Sequence, residues 1–324
     1  MALIIIAGAL FLWYTGSRLF PGYFPFHISD ELLKNPPISS VAGIEERIVQ
    51  GAGPDMLFVN QPFGASNAAT SYVEILRSMN ARKKQSSPES PTGGSLDLTE
   101  DEFQMFLHGV QQADCDFSRE SLILDGKPVR LAPAVGISDN LAHLPLLRSV
   151  SLAVIARGEN FESFGNLDIA VRCYEGVVKF GFDIEKGRES LLQVFTGAAI
   201  EKSGAQKLEE LYKKIGDTQR AREWSDFAQT VDQSIQKFKD KMIILSKLPG
   251  AAPEAVANRL WILEHDKDNM FRREALAGLG AMRVFAPDII GPALERTAAD
   301  DPDPYVREAA QNALTQSEIH GTNR

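Results

Sequence analysis

The feature that most restricts what this chain can fold into is a duplication near its carboxy end. DKDNMFRREALAGL, residues 266–279, aligns with DPDPYVREAAQNAL, residues 301–314, at a constant offset of 35. Identities fall at Asp266/Asp301, Asp268/Asp303, Arg272/Arg307, Ala275/Ala310 and Leu279/Leu314, and Phe271 matches Val306 as an apolar residue. The aspartates suit helix caps and the prolines suit a first helical turn. Phe271 or Val306 then enters a core, and the alanines let helices approach closely. Between the copies Phe285, Ile289, Ile290 and Leu294 form one apolar stripe, and Val256, Leu260, Trp261 and Leu263 form another before the first copy. Units this short cannot bury their faces alone, so they must stack on neighbours.

Over roughly residues 252–315 these residues resemble the HEAT repeat, of the short bacterial type also called the phycobilisome-lyase-like repeat. The resemblance implies stacked helical hairpins; as a functional motif it is nearly silent and names no catalytic residues. A second periodicity lies upstream. Gly165, Ala170, Tyr174 and Val177 sit at offsets 0, 5, 9 and 12, and Gly216, Ala221, Ser225 and Ala228 repeat them after Leu208 and Tyr212. This spacing resembles the second-helix half of a tetratricopeptide (TPR) repeat, with glycine at the turn and alanine at close helix contacts. The separation of 51 residues departs from that family's period of about 34, and its Trp and Pro positions are unmatched. The expectation is a TPR-like region over 141–250 and HEAT-like repeats over 251–316, together one continuous α-solenoid from about residue 140.

The amino terminus constrains location. Met1 to Ser17 carry no charged side chain, and Arg18 ends the run. About 17 residues of helix span roughly 25 Å, the lower limit for a bilayer core. Trp13 and Tyr14 suit an interfacial belt, and Arg18 can snorkel. Residues 1–20 therefore read as a membrane anchor. A cleaved signal peptide fits less well, for want of a basic start and an A-x-A site, and a buried apolar helix is the plainer alternative. Lys and Arg are too sparse around the run to orient it.

Between anchor and repeats the signals are shorter. Residues 21–81 are mixed, punctuated by Pro21, Gly22, Pro25, Pro36 and Pro37, with one helix over Ser66–Met79 carrying Ala69, Tyr72, Ile75 and Leu76 on a face. Residues 82–95 (RKKQSSPESPTGG and one further Ser) lack large apolar side chains and read as a flexible linker. Residues 96–140 read as a small α+β segment. Thr99 and Glu102 form a capping box ahead of Phe103, Phe106, Leu107 and Val110. Two β-prone runs flank Asp125-Gly126 as a hairpin, with Pro128 assigning the second strand to an edge. Seven acids and one base between Asp97 and Glu120 suggest a solvated acidic surface. Residues 317–324 read as a frayed tail.

Composition excludes several functions. With 34 Lys+Arg against 43 Asp+Glu the net charge is −9, so nothing draws the whole chain to nucleic acid. Two cysteines, Cys115 and Cys173, supply neither a disulfide framework nor a zinc cluster. The five histidines are scattered. Glu264-His265-Asp266-Lys267-Asp268 and Asp300-Asp301-Asp303 are explained by helix capping, and the latter lacks the Gly and Glu of a calcium loop. No phosphate-binding glycine motif or nucleophile elbow is present. The expectation is no catalytic, cofactor-binding or metal-binding residues, and a mainly α protein bound to the membrane. Its reading is an interaction scaffold, accessory subunit or assembly factor, with a membrane complex or another copy as partner. A ligand-binding protein or enzyme, with its site between 96–131 and the solenoid, is one alternative. A self-assembling envelope protein is another.

Overall fold

A computed structural model of the chain describes residues 28–36, 38, 54, 56, 67–85, 97–117, 120–124, 127–130, 143–187, 191–247 and 253–321. The expected anchor at 1–20, residues 86–95 of the expected linker and residues 322–324 of the expected tail lie outside them. Along the chain run α1 (Asp30–Lys34), α2 (Ala68–Gln85), α3 (Glu100–Val110), the strands β1 (Ser121–Leu124) and β2 (Lys127–Arg130), and then α4 (Leu144–Ser163), α5 (Leu167–Gly187), α6 (Leu191–Lys214) and α7 (Thr218–Lys247). They are followed by α8 (Pro253–His265), α9 (Asn269–Met282), α10 (Pro287–Asp300) and α11 (Pro304–Gly321). The protein is mainly helical. No helix among the described residues is long and apolar enough to cross a membrane. The chain forms two compact units, residues 46–237, and residues 1–45 with 238–324.

In the 46–237 unit, α2 starts at Asn67. Its side-chain oxygen accepts from the amides of Ala69 and Asp116, and its amide nitrogen donates to the Asp116 carbonyl, tying the helix start to the segment after α3. The helix outlasts its apolar stripe and continues to Gln85, into the stretch expected to be linker. Arg82 explains the extension, because its guanidinium donates to the Asp97 carbonyl and pairs with Glu102. Polar anchoring here replaces the burial that the sequence lacks. The capping box forms as expected, with Glu102 N donating to Thr99 Oγ1 and Thr99 N donating to Glu102. Glu102 is thereby buried rather than part of an acidic surface, and Glu100 pairs with Arg157 of α4. β1 and β2 pair antiparallel, Ser121 opposite Arg130 and Leu124 opposite Lys127.

The segments expected as separate domains share one core. Phe180 of α5 meets Tyr72 of α2 and Phe106 of α3 edge to face, with centroids at 4.6 Å and 5.5 Å respectively. Such aromatic contacts join elements far apart in sequence, which is why local composition did not reveal the shared core. At the centre, α5 and α6 run antiparallel with their backbones in contact. A Cβ on Gly181 would lie 2.5 Å from the Glu201 amide nitrogen and 2.6 Å from the Gly197 carbonyl oxygen. One on Gly204 would lie 2.9 Å from the Tyr174 carbonyl oxygen. Only hydrogen fits at these positions.

In the second unit α9 packs on α8 and on α11, and α10 on α11. Ile290 and Leu294 are buried on α10 as the stripe requires, whereas Phe285 falls in the preceding turn. Phe238, in the last part of α7, rests against Phe271 at 4.7 Å between centroids. α11 runs to Gly321, past the point where the tail was expected to fray.

Candidate functional site

The duplicated residues make duplicated hydrogen bonds. Asp266 accepts from the Asp268 amide and Asp301 from the Asp303 amide, each at 2.9 Å. Asp268 then caps α9 at Met270 N, and Asp303 caps α11 at Tyr305 N and Val306 N. Arg272 reaches back to the Asp266 carbonyl at 2.8 Å, and Arg307 to the Asp301 carbonyl at 2.6 Å. The copies differ in the rest of the guanidinium. Arg272 Nε and Nη2 grip both carboxylate oxygens of Asp301 at 2.9 and 3.0 Å, with both side chains buried. The corresponding nitrogens of Arg307 find no acceptor among the described residues. Leu279 is fully buried, and the Leu314 carbonyl accepts from Arg283. Removing one partner of a buried ion pair costs about 3–5 kcal/mol.

The two glycine turns of the 46–237 unit are also alike. Gly165 and Gly216 have φ of 77° and 82°, a region that favours glycine. Asn166 N donates to the Phe161 carbonyl and Asp217 N to the Tyr212 carbonyl, both at 2.9 Å, the long bond of a Schellman end. Ala170 and Ala221, five residues after each glycine, are buried as the spacing required. The residue before each glycine is a large apolar side chain left in solvent, Phe164 at 82% and Ile215 at 47% exposure. An ion pair between Glu162 and Lys214 joins the two turns, so Phe164 and Ile215 are exposed on adjoining turns, here termed the apolar ledge. Sequence reading singled out the glycines and missed the ledge. The signal was there, in an apolar residue preceding each turn glycine.

Toward the opposite ends of α5 and α6 from these turns lies buried acidity. Asp183 accepts from the Tyr72 hydroxyl at 2.8 Å and pairs with Lys179. Burial, offset in part by Lys179, raises its pKa. Glu185 and Glu201, 4% and 1% exposed, share a side-chain hydrogen bond across the α5–α6 crossing, which requires a proton between them. Burial, and then the charge of Glu185, hold the Glu201 carboxyl well above the ordinary range. Each glutamate ends the pentapeptide Gly-x-x-Ile-Glu, at 181–185 and 197–201. This second repeat escaped the sequence reading although it is written in the chain.

Among the described residues the potentially reactive groups are buried or scattered. Burial pushes the Cys115 thiol far up and the Cys173 thiol up to about 12, so neither is a ready nucleophile. Among the described residues no three His, Cys, Asp or Glu side chains are grouped to hold a metal ion. His108 neighbours Gln112, and His265 stacks on Trp261 in the other unit. Of the 96–131 region, which the alternative reading places beside a ligand site, Phe103, Phe106, Val110 and Leu122 lie in the core. No protein-family model matches the chain, and no curated protein or solved structure is significantly similar to it.

Two outcomes are expected. Arg272→Leu strands a buried carboxylate and should cost about 3–5 kcal/mol in urea unfolding, whereas Arg307→Leu should cost under about 1 kcal/mol. Equal costs would mean that the bidentate bridge is not what distinguishes the copies. The second outcome concerns pH. The folded chain holds a proton on the Glu185–Glu201 pair that the unfolded chain releases above about pH 4.3. Stability from this pair is thus lost as pH rises above that value and through the raised folded pKa, with a slope of up to about 1.4 kcal/mol per pH unit. Between about pH 5 and 8, Glu201→Gln should flatten the fall in melting temperature relative to the wild type, and an unchanged slope would remove the shared proton.

Proposed function

We propose that this chain is a membrane-tethered helical-repeat protein that holds a partner protein at the bilayer, as scaffold, accessory subunit or assembly factor of a membrane complex. The observation that carries the reading is the ledge of Phe164 and Ile215. Large apolar side chains fixed in solvent at two equivalent, rigid turns are what a protein partner buries, and aromatic anchors dominate such interfaces. Two further features support it. Met1 to Ser17 are long and apolar enough for one anchor. The 266–279 and 301–314 copies repeat their capping bonds residue for residue, in keeping with the HEAT-like resemblance and an α-solenoid course for the carboxy-terminal helices.

The test is purification of the full-length chain from its native membranes in mild detergent, with native mass measured, beside Phe164→Ser/Ile215→Ser. Both substitutions are on the surface and should leave the melting temperature nearly unchanged. A stoichiometric complex that survives with the wild type and falls at least about tenfold in the double variant, the loss of about 1.4 kcal/mol of binding or more, is the expected result. A wild-type chain that emerges alone, or a complex indifferent to the double variant, would overturn the role of the ledge.

A further inference from the structure

Helix α8 buries a polar residue whose purpose lies outside the helix. Asn258 is completely buried between Ala255, Val256, Ala257 and Ile262. A buried amide in such surroundings is costly unless hydrogen-bonded. Its Oδ1 accepts from the backbone amide of Ile38 at 2.9 Å, 220 residues away in sequence, and its Nδ2 has no acceptor among the described residues. The segment that Asn258 receives is itself docked. Ile28 and Ile38 are 2% and 1% exposed, Pro36 is buried, and α1 between them, capped by Ser29, packs on α8. The amino-terminal segment therefore lies against helices from the opposite end of the chain.

We infer that residues 28–38 are a strap that fastens the carboxy-terminal helices non-covalently to the membrane anchor, an inference that rests on the anchor reading above. Seven residues lie between Phe20 and Ile28, a span of eight residue steps. At roughly 3.5 Å per residue they reach no more than about 28 Å. The helices from α8 to α11 are thus a membrane-proximal body, although in sequence they are the part farthest from the anchor. Asn258 sets the register, since a slip of the strap would leave both its oxygen and the Ile38 amide buried and unpaired.

The experiment uses full-length chain in its native membranes, with a site-specific protease sequence inserted between Gln50 and Gly51. Cutting severs every covalent link between the anchor and residues 51–324. With the strap docked, the 51–324 fragment stays in the membrane pellet through a high-salt wash, and in mild detergent it co-elutes with the 1–50 piece. Ile38→Asp places a charge at a buried strap position without touching α8, and should release at least about fivefold more fragment on cutting. Release of the wild-type fragment, separation of the two pieces in detergent, or equal retention in Ile38→Asp would overturn the strap. Uncut chain found in the soluble fraction would instead defeat the anchor reading, and co-elution of the two pieces would then decide the strap by itself.

Discussion

Where α5 crosses α6, Gly181, Gly197 and Gly204 bring no side chain of their own to the contact, and the two backbones come together. The consequences spread outward from that crossing. Glu185 and Glu201, each four residues beyond a crossing glycine, are forced together away from water and must share a proton. Asp183 is turned to the α2 side, where the Tyr72 hydroxyl and Lys179 satisfy it. Tyr72 in turn closes the aromatic contact with Phe106 and Phe180 that brings α2 and α3 onto α5. A side chain at the crossing would separate the helices and loosen all of these contacts together, since packed interiors tolerate little added volume.

The carboxy-terminal unit is built on a different principle. Its helices are short, and turn bonds add to the apolar packing of α9 on α11 in holding the copies together. The Arg272–Asp301 bridge and the Asn269–Asp303 bond both cross from one copy to the next. Polar turn residues thus do between copies what glycines do in the other unit. Asn258 extends the same device to a segment from the far end of the chain. Buried polar groups of this kind select register more than they add stability.

What was legible in the sequence follows from these mechanisms. Local rules worked where the cause is local. Thr99 and Glu102 cap α3, Gly165 and Gly216 adopt positive φ, and Asp268 and Asp303 cap their helices. The fixed offset of 35 residues is matched in space by like bonds, Arg272 to the Asp266 carbonyl and Arg307 to that of Asp301. Division into units was not legible, because the Ile38–Asn258 bond and the Tyr72–Phe180 contact join residues whose neighbourhoods give no hint of each other. Arg82 misled for a related reason, its partner Glu102 lying twenty residues on, beyond the reach of helical periodicity. The apolar ledge was hidden because Phe164 and Ile215 look like core residues until the turns expose them.

The ledge and the strap depend on rigid helical units, and for the ledge that rigidity comes from the α5–α6 crossing. The most direct measurement is the urea unfolding midpoint of Gly181→Val, compared with Ala199→Ser on the exposed side of α6. The added side chain must push against the Glu201 amide and the Gly197 carbonyl, so a loss of about 3 kcal/mol is expected for Gly181→Val, with Ala199→Ser within about 0.5 kcal/mol of wild type. A Gly181→Val chain as stable as the wild type would show that the two backbones do not touch, and the arrangement built on their contact would be wrong.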